Sequence, residues 1–133
     1  MFLSILTAEQ KQYFLELAHL AMNIDGHACE NEKAALQNFK LECELIDYQL
    51  QNKSLEEVLE FFQDERPAAQ KSVLIELFGL LFADGDICDA EEKLIMQIAE
   101  AWNLSLAQLR RLRRWVQDFN DVIADGYSLI GSK

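Results

Sequence analysis

The chain has 133 residues, enough for one domain with its own core, and half of them are hydrophobic, which excludes a disordered tail or linker. Twelve Lys and Arg stand against 23 Asp and Glu, a net charge of −11 that opposes nucleic acid and suits cations, basic partners or plain solubility. One Pro and five Gly leave few punctuation points, which favours long helices with short turns over a many-stranded sandwich.

Met1 to Leu6 is too short and lacks the basic residues of a secretory signal. With an odd three Cys, at 29, 43 and 88, this predicts free thiols in a reducing cytoplasm. Thr7 with Gln10 is a capping-box pair, so a first helix is expected from Ala8, with Phe14, Leu17, Ala18 and Ala21 on its buried face. Asn23, Asp25 and Gly26 end it. Cys29 or Glu30 opens a second helix carrying Ala35, Leu36, Phe39 and Cys43. Whether that helix runs past Glu44 or breaks is open in the sequence.

Ser54 with Glu57 starts a helix from Leu55 to about Gln63, and Pro67 sits well at the first turn of the next. That helix, Pro67 to Ala83, is apolar on most of its circumference and is expected at the centre. Its apolar run, Val73 to Ala83, is interrupted by Glu76 and falls short of the ~20 residues of a membrane span, so the chain is not expected to be an integral membrane protein. A helix from Asp89 to Trp102 follows. After a break at Asn103–Ser105 comes a last helix, Leu106 to about Ala124, with Gly126 to Lys133 as a frayed tail.

One stretch occurs twice. Ile24–Lys33 (IDGHACENEK) and Ala83–Glu92 (ADGDICDAEE) superpose at an offset of 59, matching Asp25 with Asp84, Gly26 with Gly85, Cys29 with Cys88 and Glu32 with Glu91. The flanking apolar positions fall into register as well, so residues 8–50 and 67–103 form an internal repeat within a single domain. The Ala83-Asp84-Gly85 turn, Ile87 two after the Gly and Glu91 seven after the Asp, with Asp25, Gly26, Ala28 and Glu32 in the first copy, resemble the TerB-like family of bacterial tellurite-resistance proteins. A related domain begins some membrane-anchored J-domain cochaperones. The resemblance covers residues 8 to 124. It implies an all-α bundle of about seven helices built from two pseudo-twofold-related hairpins. It also implies a non-enzymatic cytoplasmic protein of the metal-stress type, whose duplicated acidic turns are a metal or partner site.

The residues themselves allow two readings of those turns. Gly26 fits the sixth position of a calcium loop, with Asn23, Asp25 and Glu32 on ligand positions, but the first position is Ala21, and in the second copy Leu80 and Phe82 cannot donate oxygen. A true calcium-binding loop is thereby rejected. A shared site remains, in which Asp25, Glu32, Asp84, Asp86 and Glu91 pool oxygens for a divalent cation such as calcium or magnesium. The bland reading is that these acids only turn the chain and favour the positive end of the next helix. His27, Cys29 and Cys88 carry zinc-ligand chemistry but lack a paired C-x-x-C spacing. Arg110, Arg111, Arg113 and Arg114 form a dense basic patch beside Trp115, expected either to pair with the protein's own acids or to dock an acidic protein partner, membrane-associated among the options, or anionic lipid headgroups. No phosphate loop, nucleophile elbow or H-E-x-x-H pattern is present, so catalysis is not expected; nothing in the sequence speaks to oligomeric state.

Overall fold

The computed structural model describes residues 1–24, 26 and 30–131, with the side chains of all of these but Asn31, Glu32 and Asp84. The described residues form helices and no strand. They comprise α1 (Ala8–Met22), α2 (Glu30–Glu42), α3 (Leu55–Gln63), α4 (Pro67–Leu81), α5 (Asp89–Ala101) and α6 (Leu106–Leu129), with short 3-10 turns at Phe2–Ile5 and Phe82–Asp84.

The helix starts follow local chemistry. Thr7, Ser54 and Ser105 each accept the N–H of the third helical residue (Gln10, Glu57 and Gln108), whose side chain accepts the cap residue's own N–H in return. Each such cap stabilises by about 1 kcal/mol. Pro67 is the first residue of α4, where its missing N–H costs nothing.

The repeat is literal in the backbone. The bounds of α4 and α5 are those of α1 and α2 shifted by 59 residues. Both second helices end in the same motif. Leu45 N–H reaches Lys40 C=O at 2.8 Å across a left-handed Glu44, and Leu104 N–H reaches Ala99 C=O at 2.9 Å across a left-handed Asn103. This closure satisfies the last carbonyls of the helix. It also decides the point after Cys43. The helix breaks there, although Glu44 adopts its φ of 59° at a cost of about 1 kcal/mol.

The end of α6 differs from expectation. Gly126 does not terminate it, and the helix runs on to Leu129. A glycine inside a helix costs only about 1 kcal/mol, and the stop is supplied by Gly131, at φ 67°, whose N–H bonds Ser128 C=O at 3.1 Å.

α4 is the centre of the molecule. Val73, Leu74, Leu77, Phe78, Leu80 and Leu81 are all buried, and the helix packs against the N-terminal turn, α1, α2 and α6. α3 covers α1 and α5. One buried cluster draws residues from all six helices and from Leu3 of the N-terminal turn. Each large side chain fully buried there stabilises by about 1.5–3 kcal/mol.

Buried polar groups stitch the irregular segments to this core. Gln70 donates to Phe62 C=O at 2.7 Å, and Trp102 Nε1 donates to Leu59 C=O at 3.2 Å, so α4 and α5 both hold α3. Glu16, only 1% exposed, accepts from the Tyr48 hydroxyl at 2.6 Å, Gln51 N–H at 2.8 Å and Lys53 N–H at 3.2 Å. That single carboxylate pins the connector between α2 and α3 onto α1. Burial pushes the Glu16 carboxyl up, but the Gln51, Tyr48 and Lys53 hydrogen bonds together with the Lys53 charge outweigh it and hold the group below its usual 4.5.

A carboxyl depressed in the folded state stabilises fully above its unfolded value near 4.5, and the contribution is lost as pH falls through the lower folded value. Glu16→Gln turns an acceptor into a group that faces N–H donors with its own NH2, and is expected to cost about 2–3 kcal/mol at pH 7. Denaturant melts of both proteins between pH 7 and pH 3 should show that gap narrowing below pH 4.5. A gap independent of pH would show that the ionised carboxylate is not what holds the connector.

Candidate functional site

The duplicated turn is formed alike in both halves wherever it is described. Gly26 (φ 83°) donates its N–H to Asn23 C=O at 3.1 Å, and Gly85 (φ 111°) donates to Phe82 C=O at 3.1 Å. Asn23 and Phe82 are repeat-equivalent, as are the two glycines. Positive φ makes glycine the fitting residue at both positions. Asp25 lies outside the described residues, as do His27 and Cys29, and the side chains of Glu32 and Asp84 are likewise not described.

The remaining two acids have different situations. Asp86 is exposed. Glu91 is 7% exposed, and its Oε1 accepts the N–H of Cys88, the N-cap of α5, at 2.9 Å. That is the reach-back half of a capping box, so Glu91 has a defined task as a cap. Asp89, Glu91 and Glu92 all sit in the first turn of α5, where negative charge faces the positive end of the helix dipole. Among the described residues no group of three or more His, Cys, Asp or Glu is placed to hold a metal ion.

The Arg patch divides in two. Arg113 is half-buried, bonds Glu92 at 2.6 Å and lies 5.7 Å from the centre of the Phe82 ring. It therefore ties α6 to the acidic end of the second hairpin, so for Arg113 the pairing with the protein's own acids is what the structure has, with Glu92 as the partner that the sequence did not name. Arg110, Arg111 and Arg114 are exposed. Arg114 meets Asp118 at 3.8 Å one turn along the same helix, a surface pair worth at most about 0.5 kcal/mol.

Among the described residues nothing buries α6 beyond Phe119. Residues 120–130 are all exposed, Val122, Ile123, Tyr127 and Ile130 among them. Leu109, Leu112, Val116, Phe119, Ile123, Gly126 and Ile130 alternate in steps of three and four, the spacing of a coiled-coil seam. Leu109 and Val116 of that seam are buried in the core, and its distal half runs past the body.

Of the described thiols, Cys43 is buried and its pKa is pushed up to about 11 by burial, which makes it inert, whereas Cys88 is exposed. No helix among the described residues is long and apolar enough to cross a membrane. No protein-family model, curated protein or solved structure matches the chain.

Sequence reasoning missed Glu16. Its signal was there: a single acid inside the apolar run Phe14-Leu15-Glu16-Leu17-Ala18, on the side of the helix that must be buried. It also missed the exposed second half of the α6 stripe, because periodicity identifies an apolar face without saying whether anything covers it.

Glu91 separates the two readings of the acidic turn. Glu91→Gln keeps the capping bond, so its melting temperature should stay within about 2 °C of the parent, and any response to calcium or magnesium should be unchanged. Glu91→Ala should lose about 1 kcal/mol whether or not metal is present. A metal-dependent stabilisation that vanishes in Glu91→Gln would instead make this carboxylate a ligand.

Proposed function

We propose that the protein is a non-enzymatic, TerB-like helical module whose task is to dock a protein partner through the distal half of α6. The bundle would be two pseudo-twofold-related hairpins, with the N-terminal turn counted as a seventh helix, in a cytoplasmic protein of the metal-stress class. The observation that carries this reading is the exposed part of the heptad seam from Ile123 to Ile130, continuous with the buried seam of the same helix. A helix that presents such a stripe suits a partner helix or groove that completes the seam. Asp118, Asp121 and Asp125 lie on the same distal segment and favour a partner with a basic rim. Arg110, Arg111 and Arg114 extend the contact toward acidic groups of the same partner.

The reading in which Asp25, Glu32, Asp84, Asp86 and Glu91 gather a calcium or magnesium ion is the competing proposal, and one experiment compares the two. Val122→Asp with Ile123→Asp changes only exposed side chains, so the melting temperature should hold while capture of the partner from lysate is lost. Asp25→Asn with Asp84→Asn, or a chelator, should leave capture intact. Capture that survives the α6 change and disappears on chelation would transfer the function to the acidic turns.

A further inference from the structure

A groove of about 410 Å³ lies between the N-terminal turn, α4 and α6, within the ~300–1,000 Å³ of small-ligand pockets. Its apolar walls are Phe2, Ile75, Leu112 and Trp115. A second groove of about 270 Å³ shares Phe2, Ile75 and Trp115 with it and continues to Gly79 and Phe119. The two are the ends of one trough along the α4–α6 seam. From Lys71 to Gly79 on one face of α4 it extends about 12 Å. Phe2 packs edge-on against Trp115 at 5.6 Å, and Trp115 stacks on Phe119 at 5.4 Å, so its aromatic wall is continuous.

The charges along this trough are ordered. Both charged residues at the near end, Lys71 and Arg111, are cations, in a chain with 23 acids to 12 bases. Among the described residues neither meets a carboxylate within ion-pair distance. The far end carries Glu76, whose carboxylate accepts Phe2 N–H at 2.8 Å and the Met1 ammonium at 3.1 Å. The cations unpaired among the described residues are thus at the near end, and the acid of the far end is paired with the Met1 ammonium.

The internal repeat points to the same place. Ile75 is the repeat-equivalent of Glu16. In the first half that position holds the α2–α3 connector down through three hydrogen bonds, so chain covers the helix face. In the second half the same face, Ile75 and Gly79, floors an open trough. Ile75 makes it apolar and Gly79 keeps it unobstructed, with nothing within 4 Å of where a Cβ would stand.

From this we propose that the trough binds a free fatty-acid-type carboxylate, with its head between Lys71 and Arg111 and its alkyl chain along Ile75 and Trp115 toward Gly79. The site shares Arg111 and Phe119 with the proposed docking helix but uses none of the exposed residues beyond Asn120. Its apolar floor lies recessed between three elements, which suits a single extracted amphiphile better than the surface of a bilayer.

Isothermal titration of the full chain with sodium dodecanoate, kept below its micelle concentration, tests this. Saturable one-to-one binding is expected, with a rise in melting temperature at saturation. Lys71→Gln with Arg111→Gln, both outside the buried core, should bind at least tenfold more weakly while melting at the parent temperature without ligand. Dodecanol, with the same chain and no charge, should also bind at least tenfold more weakly. Equal binding of dodecanol, or equal affinity in the double variant, would overturn the assignment. So would absence of saturable binding to monomeric dodecanoate, including the case where the protein binds only phosphatidylglycerol vesicles.

Discussion

Most of this fold answers to one constraint: α4 is apolar around most of its circumference and must be covered on several sides at once. Its buried row from Val73 to Leu81 needs α1, α2, α6 and the N-terminal turn at once. No pair of helices can satisfy it, which is why neither copy of the repeat is a unit by itself. The second hairpin supplies the central helix, the first supplies much of its cover, and α6 closes the remaining side with Leu109 and Val116. The short Phe2–Ile5 turn completes the enclosure through Leu3, which is why so small an element is held by hydrogen bonds from Phe2 and Leu3 to Glu76 and Glu42.

The two halves share a plan and diverge in what they ask of it. The helix bounds, the glycine turn and the left-handed closure of the second helix all recur at the same offset, because each depends on local chemistry that the repeat preserves. Divergence falls on positions that face neighbours. Glu16 and Ile75 occupy the same place in their helices, yet one organises a connector through three donors and the other offers an apolar surface. Lys40 and Ala99 accept the same closing hydrogen bond with unlike side chains, since only their backbone is used. Duplication thus supplied a scaffold, and individual side chains at exposed or inter-element positions gave each half its own surface.

How far the molecule could be read in advance follows the range of the interactions. The caps at Thr7, Ser54 and Ser105, the start at Pro67 and the glycine turns were legible because the partners lie within three or four residues. The central place of α4 was legible because an apolar circumference has one satisfactory environment. The task of Glu16 was not, since its donors lie 32 to 37 residues away and only the fold unites them. Pairing of the Arg patch with the protein's own acids was one of two expectations, but that Arg113 would take Glu92 was not legible, since only the fold brings the two together. The expected end of α6 near Ala124 failed because a lone exposed glycine is a weak stop, and the left-handed Gly131 a stronger one.

The same distinction bears on the acids. A carboxylate in the first turn of a helix lowers the energy of the fold through the dipole and the cap, and Glu91 does so by accepting the Cys88 N–H. The first-turn position thus gives Asp89, Glu91 and Glu92 a local role in the second copy, whereas Asp84 and Asp86 precede the cap. An uncovered apolar surface has no such local explanation. Val122 and Ile123 lie on helix that reaches beyond the core, so their exposure adds nothing to the described core and carries a risk of nonspecific association. The paired trough beside Trp115 is of the same kind, apolar where the equivalent face of the first half is covered. Features that the fold does not require of itself are the stronger pointers to function, and among the described residues α6 carries several of them.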